Sequence, residues 1–203
     1  MAAIHTTEWG VFKHVDGTYS GQWSAQHSRP EGYGTMVYSS SDKEFTSYSG
    51  HWKAGHRDGF GVAIYKESPN CNYKMYSGEW RDGFRSGHGT LMYHGGGRYD
   101  GNWKDNIRHG YGILISKAKK SGNWVTFRGE YSGDKKRSGL LSSKTQQDRY
   151  ISYYVTFLNG KLHDLDGQGA SVIIGNYKGH RKYKEGWWVD SHGELDQVVA
   201  ALT

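Results

Sequence analysis

The chain is poor in residues that cross-link or interrupt a fold: its 203 residues include one cysteine and two prolines. The single cysteine, Cys71, excludes an intramolecular disulfide and fits a reducing compartment. No apolar run approaches the roughly 18 residues that a membrane-spanning helix needs. The first residues also lack the basic start and apolar stretch of a signal peptide. These absences predict a soluble intracellular protein.

Aliphatic residues are scarce as well, whereas aromatic residues and glycine are abundant. Hydrophobic residues make up 35% of the chain and aromatic residues 15%, with 16 Tyr, 8 Trp and 30 Gly. This composition disfavours a thick aliphatic core and favours thin sheets held together by ring stacking. The scarcity of proline and the many β-forming residues argue against disorder.

One stretch recurs and organises the chain. Residues 76–80 read Tyr-Ser-Gly-Glu-Trp, and after a six-residue connection a return segment at 87–93 begins Gly-His-Gly. In a strand, the tyrosine, glycine and tryptophan lie on one face. The return segment also alternates with period two. The pattern predicts a β-hairpin whose rings lie on the glycine backbone of another hairpin, where any Cβ would hold them off.

The same unit occurs four times. Its lead residues, Tyr19, Tyr48, Tyr76 and Tyr99, are spaced by roughly 23 to 29 residues, which is the signature of a repeat array. The glycines of the return segments are predicted to be structural: Gly32, Gly34, Gly59, Gly61, Gly87, Gly89, Gly110 and Gly112.

The repeat pattern divides the chain into four parts. Residues 1–18 are predicted to be a half-repeat or cap, 19–116 four well-formed hairpins, 117–190 degenerate repeats, and 191–203 a short capping helix. In the helix, Ser191 and Glu194 form a capping box, and four apolar residues share one stripe. Because so brief a helix is marginal alone, it either plugs the open end of the sheet or docks on a second chain.

Tyr-x-Gly-x-Trp followed by Gly-x-Gly resembles the MORN repeat (membrane occupation and recognition nexus). The resemblance is specific over residues 19–116 and loose over 117–190. It implies an all-β fold, an elongated and twisted single-layer sheet of consecutive antiparallel β-hairpins with one grooved face. The residues that match in the third copy are Tyr76, Gly78, Trp80, Gly83, Gly87 and Gly89.

Stand-alone members of this family are mostly non-catalytic scaffolds and adaptors of the cytoskeleton, including axonemal proteins. The resemblance therefore implies an adaptor with cytoskeletal or axonemal partners, located in the cytoplasm or cytoskeleton and in a cilium or flagellum. Several members dimerise through an end, which makes a homodimer an expectation here as well. An exposed apolar strip marks an interaction site, and the expected partner groove is formed by Tyr19, Trp23, Tyr48, Trp52, Tyr76, Trp80, Tyr99 and Trp103.

Basic clusters support an alternative function, in which the chain is a peripheral module that binds acidic phospholipids. The clusters are Lys117, Lys119 and Lys120; Lys135, Lys136 and Arg137; and Lys178, Arg181, Lys182 and Lys184. They are also compatible with ordinary charged loops or with contacts to an acidic protein such as tubulin. In a third alternative, the chain only spaces other subunits through its ends. Nucleic acid is disfavoured, because the rings that would stack bases are committed between hairpins.

Catalysis, cofactors and metals are not predicted. The Gly-x-Gly pairs lack the third glycine and the following helix of a phosphate-binding loop. The eleven histidines are scattered, with no carboxylate or cysteine to complete a ligand set. No serine or cysteine nucleophile has a recognisable base nearby.

Overall fold

The computed structural model describes residues 7–39, 44–69, 71–117, 122–144 and 150–158, with shorter stretches at 161–163, 170–174, 177–184, 187–189 and 195–196. Within these residues every regular element is a β-strand. The strands are β1 (Thr7–His14), β2 (Gly17–Ser24), β3 (Arg29–Tyr38), β4 (Phe45–Lys53), β5 (His56–Tyr65), β6 (Tyr73–Arg81), β7 (Phe84–Tyr93), β8 (Arg98–Lys104), β9 (Ile107–Lys117), β10 (Trp124–Ser132), β11 (Lys135–Lys144), β12 (Tyr150–Leu158), β13 (Lys161–His163), β14 (Ala170–Ile174), β15 (Tyr177–Lys184), β16 (Trp187–Val189) and β17 (Leu195–Asp196).

The chain forms two compact units. The first comprises residues 1–94 with 102–107, and the second comprises 95–101 with 108–203. In the first unit β1 to β7 follow one another as antiparallel neighbours. In the second unit β9 to β12 do the same, and β12 also pairs with β13 and β14. The predicted all-β class and the consecutive antiparallel hairpins are therefore confirmed.

Two-residue turns close the central hairpins. Ala54 and Gly55 have φ values of 52° and 81°, and Asp82 and Gly83 have 48° and 86°. Positive φ at both central residues defines the type I′ turn, whose twist matches that of the flanking strands. The return strand therefore begins at Phe84, so the reversal is much shorter than the six-residue connection that the sequence indicates.

The first glycine of each return segment forms a β-bulge. In the β6–β7 hairpin the register shifts between Gly78 and Trp80, and Gly87 on the opposite strand has a φ of 62°. A Cβ on Gly87 would lie 2.5 Å from the carboxyl carbon of Glu79. Glycine is required here both for the left-handed backbone and for the space, as in other glycine bulges.

One face of the first unit carries its core, and we call it the tyrosine face. The three lead tyrosines on it have no exposed surface, and the tryptophans four residues later are at most 8% exposed. Burying a ring of this size contributes about 2–3 kcal/mol. The buried rings of this face are Tyr19, Trp23, Tyr48, Trp52, Tyr76 and Trp80.

The predicted C-terminal helix is wrong where the structure describes it. Leu195 and Asp196 form β17, which pairs with β16 through Val189↔Leu195 and Trp188↔Asp196. An edge strand offers unpaired backbone groups, and pairing with them stabilises a segment that is too short to be helical alone. The other residues of the predicted helix, 191–194 and 197–203, lie outside the described residues.

Candidate functional site

Each lead tyrosine lies across a pair of facing glycines in its own hairpin. Gly78 on β6 is opposite Gly89 on β7, and a Cβ on Gly89 would lie 2.2 Å from the Tyr76 hydroxyl oxygen. That hydroxyl donates a hydrogen bond of 3.0 Å to the carbonyl oxygen of Glu79. Tyr19 and Tyr48 make the equivalent bonds to carbonyl oxygens three residues on. The ring therefore lies on backbone that only glycine leaves accessible, but it is the backbone of its own hairpin, so the predicted seating of tyrosines on the neighbouring hairpin is wrong.

The tryptophans connect each hairpin to the one before it. Trp52 Nε1 donates to the carbonyl oxygen of Gly34 at 3.1 Å, and Trp80 Nε1 donates to that of Gly61 at 3.3 Å. Tyr48 meets both tryptophans edge-on, with ring centroids 5.0 and 5.4 Å apart. This T-shaped geometry is favoured by the ring quadrupoles, so the rings form a continuous ladder along the tyrosine face.

Arginines of the return strands cover this ladder. The guanidinium carbon of Arg57 lies 4.3 Å from the ring centroid of Phe45 and 4.5 Å from that of Trp80. Its Nη2 donates to the carbonyl oxygen of Gly83, in the turn of the next hairpin, at 2.8 Å. Cation–π contacts of this kind gain strength when water is excluded.

Arg85 repeats the arrangement one hairpin later. Its guanidinium carbon lies 4.4 Å from the Trp103 ring centroid. Its Nη2 donates to the carbonyl oxygen of Asn106 at 2.9 Å, and its Nε donates to the side-chain oxygen of that residue at 3.3 Å. Arg85 is only 7% exposed. The planar fork lets one cation cover a ring and bond to the next turn at the same time.

The second unit uses the same position for Arg108 and Lys136. Arg108 donates from Nη2 to the carbonyl oxygen of Asp134 and from Nε to its carboxylate, both at 2.9 Å. Lys136 Nζ lies 5.1 Å from the ring centroid of Phe127. Burial, followed by the neighbouring Arg108 charge, lowers the pKa of Lys136 to about 8. A lysine in this position is thus partly buried against rings instead of facing solvent.

Burial of the lead tyrosines also affects their ionisation. Desolvation raises the pKa of Tyr19, Tyr48 and Tyr76 well above the usual tyrosine range. It raises the pKa of Tyr65 to about 12. A phenolate would have to form in the ring core, where water cannot solvate it. These hydroxyls therefore act as hydrogen-bond donors and not as acids at neutral pH.

The expectation that the eight groove rings form an exposed strip is wrong. Tyr99 is 0% and Trp103 5% exposed, and the six rings of the tyrosine face are similarly buried. The arginines supply the cover that a single-layer sheet was expected to lack. Because Trp80 and Trp103 belong to the core, replacing either one is expected to lower the free energy of unfolding, so loss of binding in such a variant would not identify a binding site. Partner binding through this set stays a prediction.

The opposite face of the first unit is exposed, and we call it the open face. Tyr33 is 47% and Phe60 66% exposed, and both are middle residues of Gly-x-Gly. The two rings flank His51, which is paired with Tyr33 across the strands at 5.5 Å between ring centroids. The face also bears a shallow cavity of about 400 Å³ lined in part by these three residues.

A row of hydroxyl-bearing residues crosses the open face beside the rings. Thr35 is opposite Ser49, and its Oγ1 donates to the Ser49 Oγ at 2.9 Å. Val62 interrupts the hydroxyl groups, and Ser77 and Thr90 on β6 and β7 resume them. Aromatic side chains are enriched at protein-binding surfaces, which makes the exposed rings the notable feature of this face. Sequence reasoning missed this surface, although Tyr33, Phe60 and Tyr111 share the middle position of Gly-x-Gly.

The structure describes the side chains of only some residues in the predicted basic clusters. Lys117 Nζ lies 5.3 Å from the Trp124 ring centroid, and Lys136 packs on the rings of the second unit. Lys135 and Arg137 are exposed on either side of Lys136. Lys119 and Lys120 lie outside the described residues, and for Arg181 and Lys182 only the strand is described.

No group of three or more metal-ligating side chains occurs in the described part of the chain. Among the same residues, no helix is long and apolar enough to cross a membrane.

The repeats match a known family. The family model of the MORN repeat matches residues 19–43, 48–67, 76–98 and 99–117. The chain therefore carries four MORN repeats, and these are the four predicted hairpins. MORN repeats are non-catalytic motifs that mediate interactions with proteins or membranes. A search of curated proteins found no match to this chain.

Proposed function

We propose that this protein is a non-catalytic adaptor that binds a protein partner through the open face of its first unit. The observation that carries the proposal is the pair of exposed rings, Tyr33 and Phe60, on the face opposite the buried ring ladder. Exposed aromatic side chains at regular positions contribute disproportionately to binding energy. MORN repeats in general mediate such interactions.

The surroundings of the two rings favour a protein segment as the ligand. Exposed apolar side chains lie on one side of the hydroxyl row, with Val37 at 53% and Ile64 at 38%. The rings and His51 lie on the other side. A segment that crosses the strands would bury apolar side chains at both margins and hydrogen-bond to the row between them.

The assembly we propose is cytoskeletal, with a cilium or flagellum as the expected location. Support comes from the resemblance to stand-alone repeat proteins of axonemes and other cytoskeletal structures. The absence of any catalytic arrangement in the sequence motifs is consistent with a scaffold. The particular subunit is an outcome of the experiment below.

A capture experiment from an extract of ciliated cells tests the proposal. The double variant Y33A/F60A removes both exposed rings, and we expect at least a tenfold loss of the captured partner, corresponding to hot-spot side chains worth about 1.4 kcal/mol or more together. V15A is the matched control, because Val15 is 91% exposed but lies in the β1–β2 turn. Thermal unfolding of each variant confirms that the fold is retained.

Two results would contradict the proposal, in different ways. Undiminished capture by folded Y33A/F60A would show that the open face is not the binding surface. A captured set without cytoskeletal proteins would refute the proposed assembly. The membrane alternative is separated by flotation with vesicles containing acidic phospholipids, since electrostatic binding should fall steeply with added salt.

A further inference from the structure

The first return strand of the tyrosine face differs from the next two at one covering position. Arg57 on β5 and Arg85 on β7 are each opposite the tryptophan of their own hairpin. In the first hairpin the residue opposite the tryptophan is Pro30. The preceding Arg29 does not substitute for it, because its register matches that of His56. At the position from which the later arginines cover the rings, the first hairpin therefore has a proline instead of a cation.

A cavity of about 350 Å³ lies on the tyrosine face beside Pro30. Arg57 lies over the tryptophan of the next hairpin and donates to a carbonyl oxygen of that hairpin's turn. The groups that correspond to these for Pro30 are the Trp52 ring and the turn residue Gly55, and both line the cavity. The surroundings of a guanidinium are therefore present in the first hairpin, and Pro30 is too short to occupy them.

The cavity carries a carboxylate near the place where the next hairpin has a ring. In that hairpin Arg57 covers Phe45, which is opposite the last tyrosine of its return strand. The residue at this place in the first hairpin is Gly17, and the adjacent Asp16 lines the cavity. His14 Nδ1 accepts the Asp16 N–H at 3.1 Å, so this nitrogen carries no proton to neutralise the carboxylate. A carboxylate beside aromatic walls favours a cation as the occupant.

An incoming cation would have Arg57 as its neighbour, and the repeat already accommodates such neighbours. Arg57 and Arg85 are two strands apart, which corresponds to about 9–10 Å. In both, Nη2 donates to a backbone carbonyl of the following turn, whereas Nη1 is buried without a hydrogen-bond partner among the described residues. Because the two arginines share this feature, the Nη1 of Arg57 belongs to the cation–π arrangement and does not indicate an anion site in the cavity.

We propose that the cavity binds an arginine side chain of a partner protein, which completes the series of guanidiniums over the ring ladder. The guanidinium would lie on the Trp52 ring, donate to the carbonyl oxygen of Gly55 and face the Asp16 carboxylate. A planar fork with several donors can make these contacts together, whereas a lysine ammonium is a single point charge. The cavity is at the small end of ligand pockets, which suits one side chain. The site lies on the tyrosine face and is independent of the open-face function.

A pair of short peptides tests the ligand chemistry. The probe is Gly-Arg-Gly blocked at both ends, and its control is the same peptide with citrulline, which keeps the shape of arginine without the charge. We expect the arginine peptide to bind in the millimolar range and about fivefold or more tighter than the citrulline peptide. Shifts of the Trp52 and Gly55 amide resonances report the binding. No binding, or equal binding of the two peptides, would overturn the proposal.

Free arginine distinguishes a partner's side chain from a small metabolite. It has the same guanidinium but adds a charged amino group and a carboxylate, for which the proposed site has no role. We expect it to bind no better than the blocked peptide. Clearly tighter binding of free arginine would overturn the assignment to a protein partner.

Pro30→Arg supplies the guanidinium from the chain itself. We expect this variant to lose at least about tenfold in affinity for the arginine peptide and to melt about 2–4 °C above Pro30→Ala. Pro30→Ala is the matched control, because it removes the same ring without adding a charge and should still bind. Undiminished binding by folded Pro30→Arg would show that the peptide does not occupy this cavity.

Asp16→Asn provides a second test that leaves the cavity open. Asparagine suits the β1–β2 turn as aspartate does, so the fold should be retained. We expect the arginine peptide to bind about fivefold more weakly, with no change for the citrulline peptide. Glu8→Gln is the control, since it removes a charge of the same sign from an exposed position of β1. An equal effect of the two substitutions would refute a direct contact with Asp16.

Discussion

The β6–β7 hairpin of the first unit and the β10–β11 hairpin of the second place different side chains on the same backbone. Gly78 faces Gly89 in one, and Gly129 faces Gly139 in the other. Tyr76 is fully buried on the first pair, and Phe127, at 1% exposure, takes its place on the second. The ring and the glycines are therefore the common requirement of both hairpins.

The two hairpins share this packing but differ in their hydrogen bonds. The Tyr76 hydroxyl donates to a backbone carbonyl, whereas Phe127 has no hydroxyl to donate. The Arg85 guanidinium lies over the Trp103 ring and also bonds to the next turn. In the other hairpin, Lys136 places a single ammonium over the Phe127 ring. The comparison shows that the β10–β11 hairpin keeps the packing of β6–β7 and lacks part of its polar network. Substitutions in the two hairpins test whether ring packing and hydrogen bonding contribute separately to stability.

The largest effect should come from filling the glycine pair of β6–β7. Gly89→Ala places a methyl group 2.2 Å from the Tyr76 hydroxyl oxygen and 2.5 Å from the ring, so the buried ring must move. We expect a loss of about 3 kcal/mol in the free energy of unfolding, at the upper end for overpacked cores. Denaturant unfolding measures it. Gly95→Ala is the control, because a Cβ there meets no atom within 4 Å, and an equal loss in both variants would refute the packing argument.

A smaller effect should follow from exchanging the hydroxyl between the two hairpins. Tyr76→Phe removes the bond to the Glu79 carbonyl and should cost about 1 kcal/mol. Phe127→Tyr introduces a hydroxyl at the same position relative to Glu130, and we expect it to recover part of that amount. Chemical denaturation of both variants checks the two signs. If Tyr76→Phe were neutral, the hydroxyl bond would not distinguish the two hairpins energetically.

The smallest effect should be a pH dependence confined to Lys136. Its pKa of about 8 in the folded chain lies below the value near 10.4 of an unfolded lysine. Between these values the unfolded state binds more protons, so the free energy of unfolding should rise with pH. Lys136→Met should remove this rise, which we expect to be on the order of 1 kcal/mol after allowance for solvent screening.

Measuring the wild type and Lys136→Met at the same pH values isolates the lysine from other groups. The buried tyrosines have raised pKa values in the folded chain, so their contribution is complete below pH 10 and declines above it in both proteins. A constant stability difference from pH 7 to pH 10 would show that Lys136 titrates as an exposed lysine does.

The hairpins could be predicted from the sequence because their signal is local. The ring, glycine and tryptophan at alternate positions select a strand face, and the glycine pair leaves room for one ring. The exposure of that ring could not be predicted in the same way, since its cover comes from Arg57 and Arg85 at positions that look like ordinary charged strand ends. The exposed rings escape prediction for a related reason: Tyr33 and Phe60 lie between glycines whose pattern predicts only a structural role.

The two ends of each hairpin also differ in how well they tolerate an inserted segment. At one end, Asp82 and Gly83 make a two-residue turn whose backbone N–H of Gly83 bonds to the carbonyl oxygen of Arg57, while the Arg57 side chain bonds back to the same glycine. At the other end, the connections between hairpins differ in length from repeat to repeat, and Gly95 has open space around it. A peptide tag spliced in at Gly95 should thus leave the scaffold intact, while the same tag at Asp82 would uncouple adjacent hairpins. New binding segments could therefore be grafted at the Gly95 connection instead of at the Asp82–Gly83 turn.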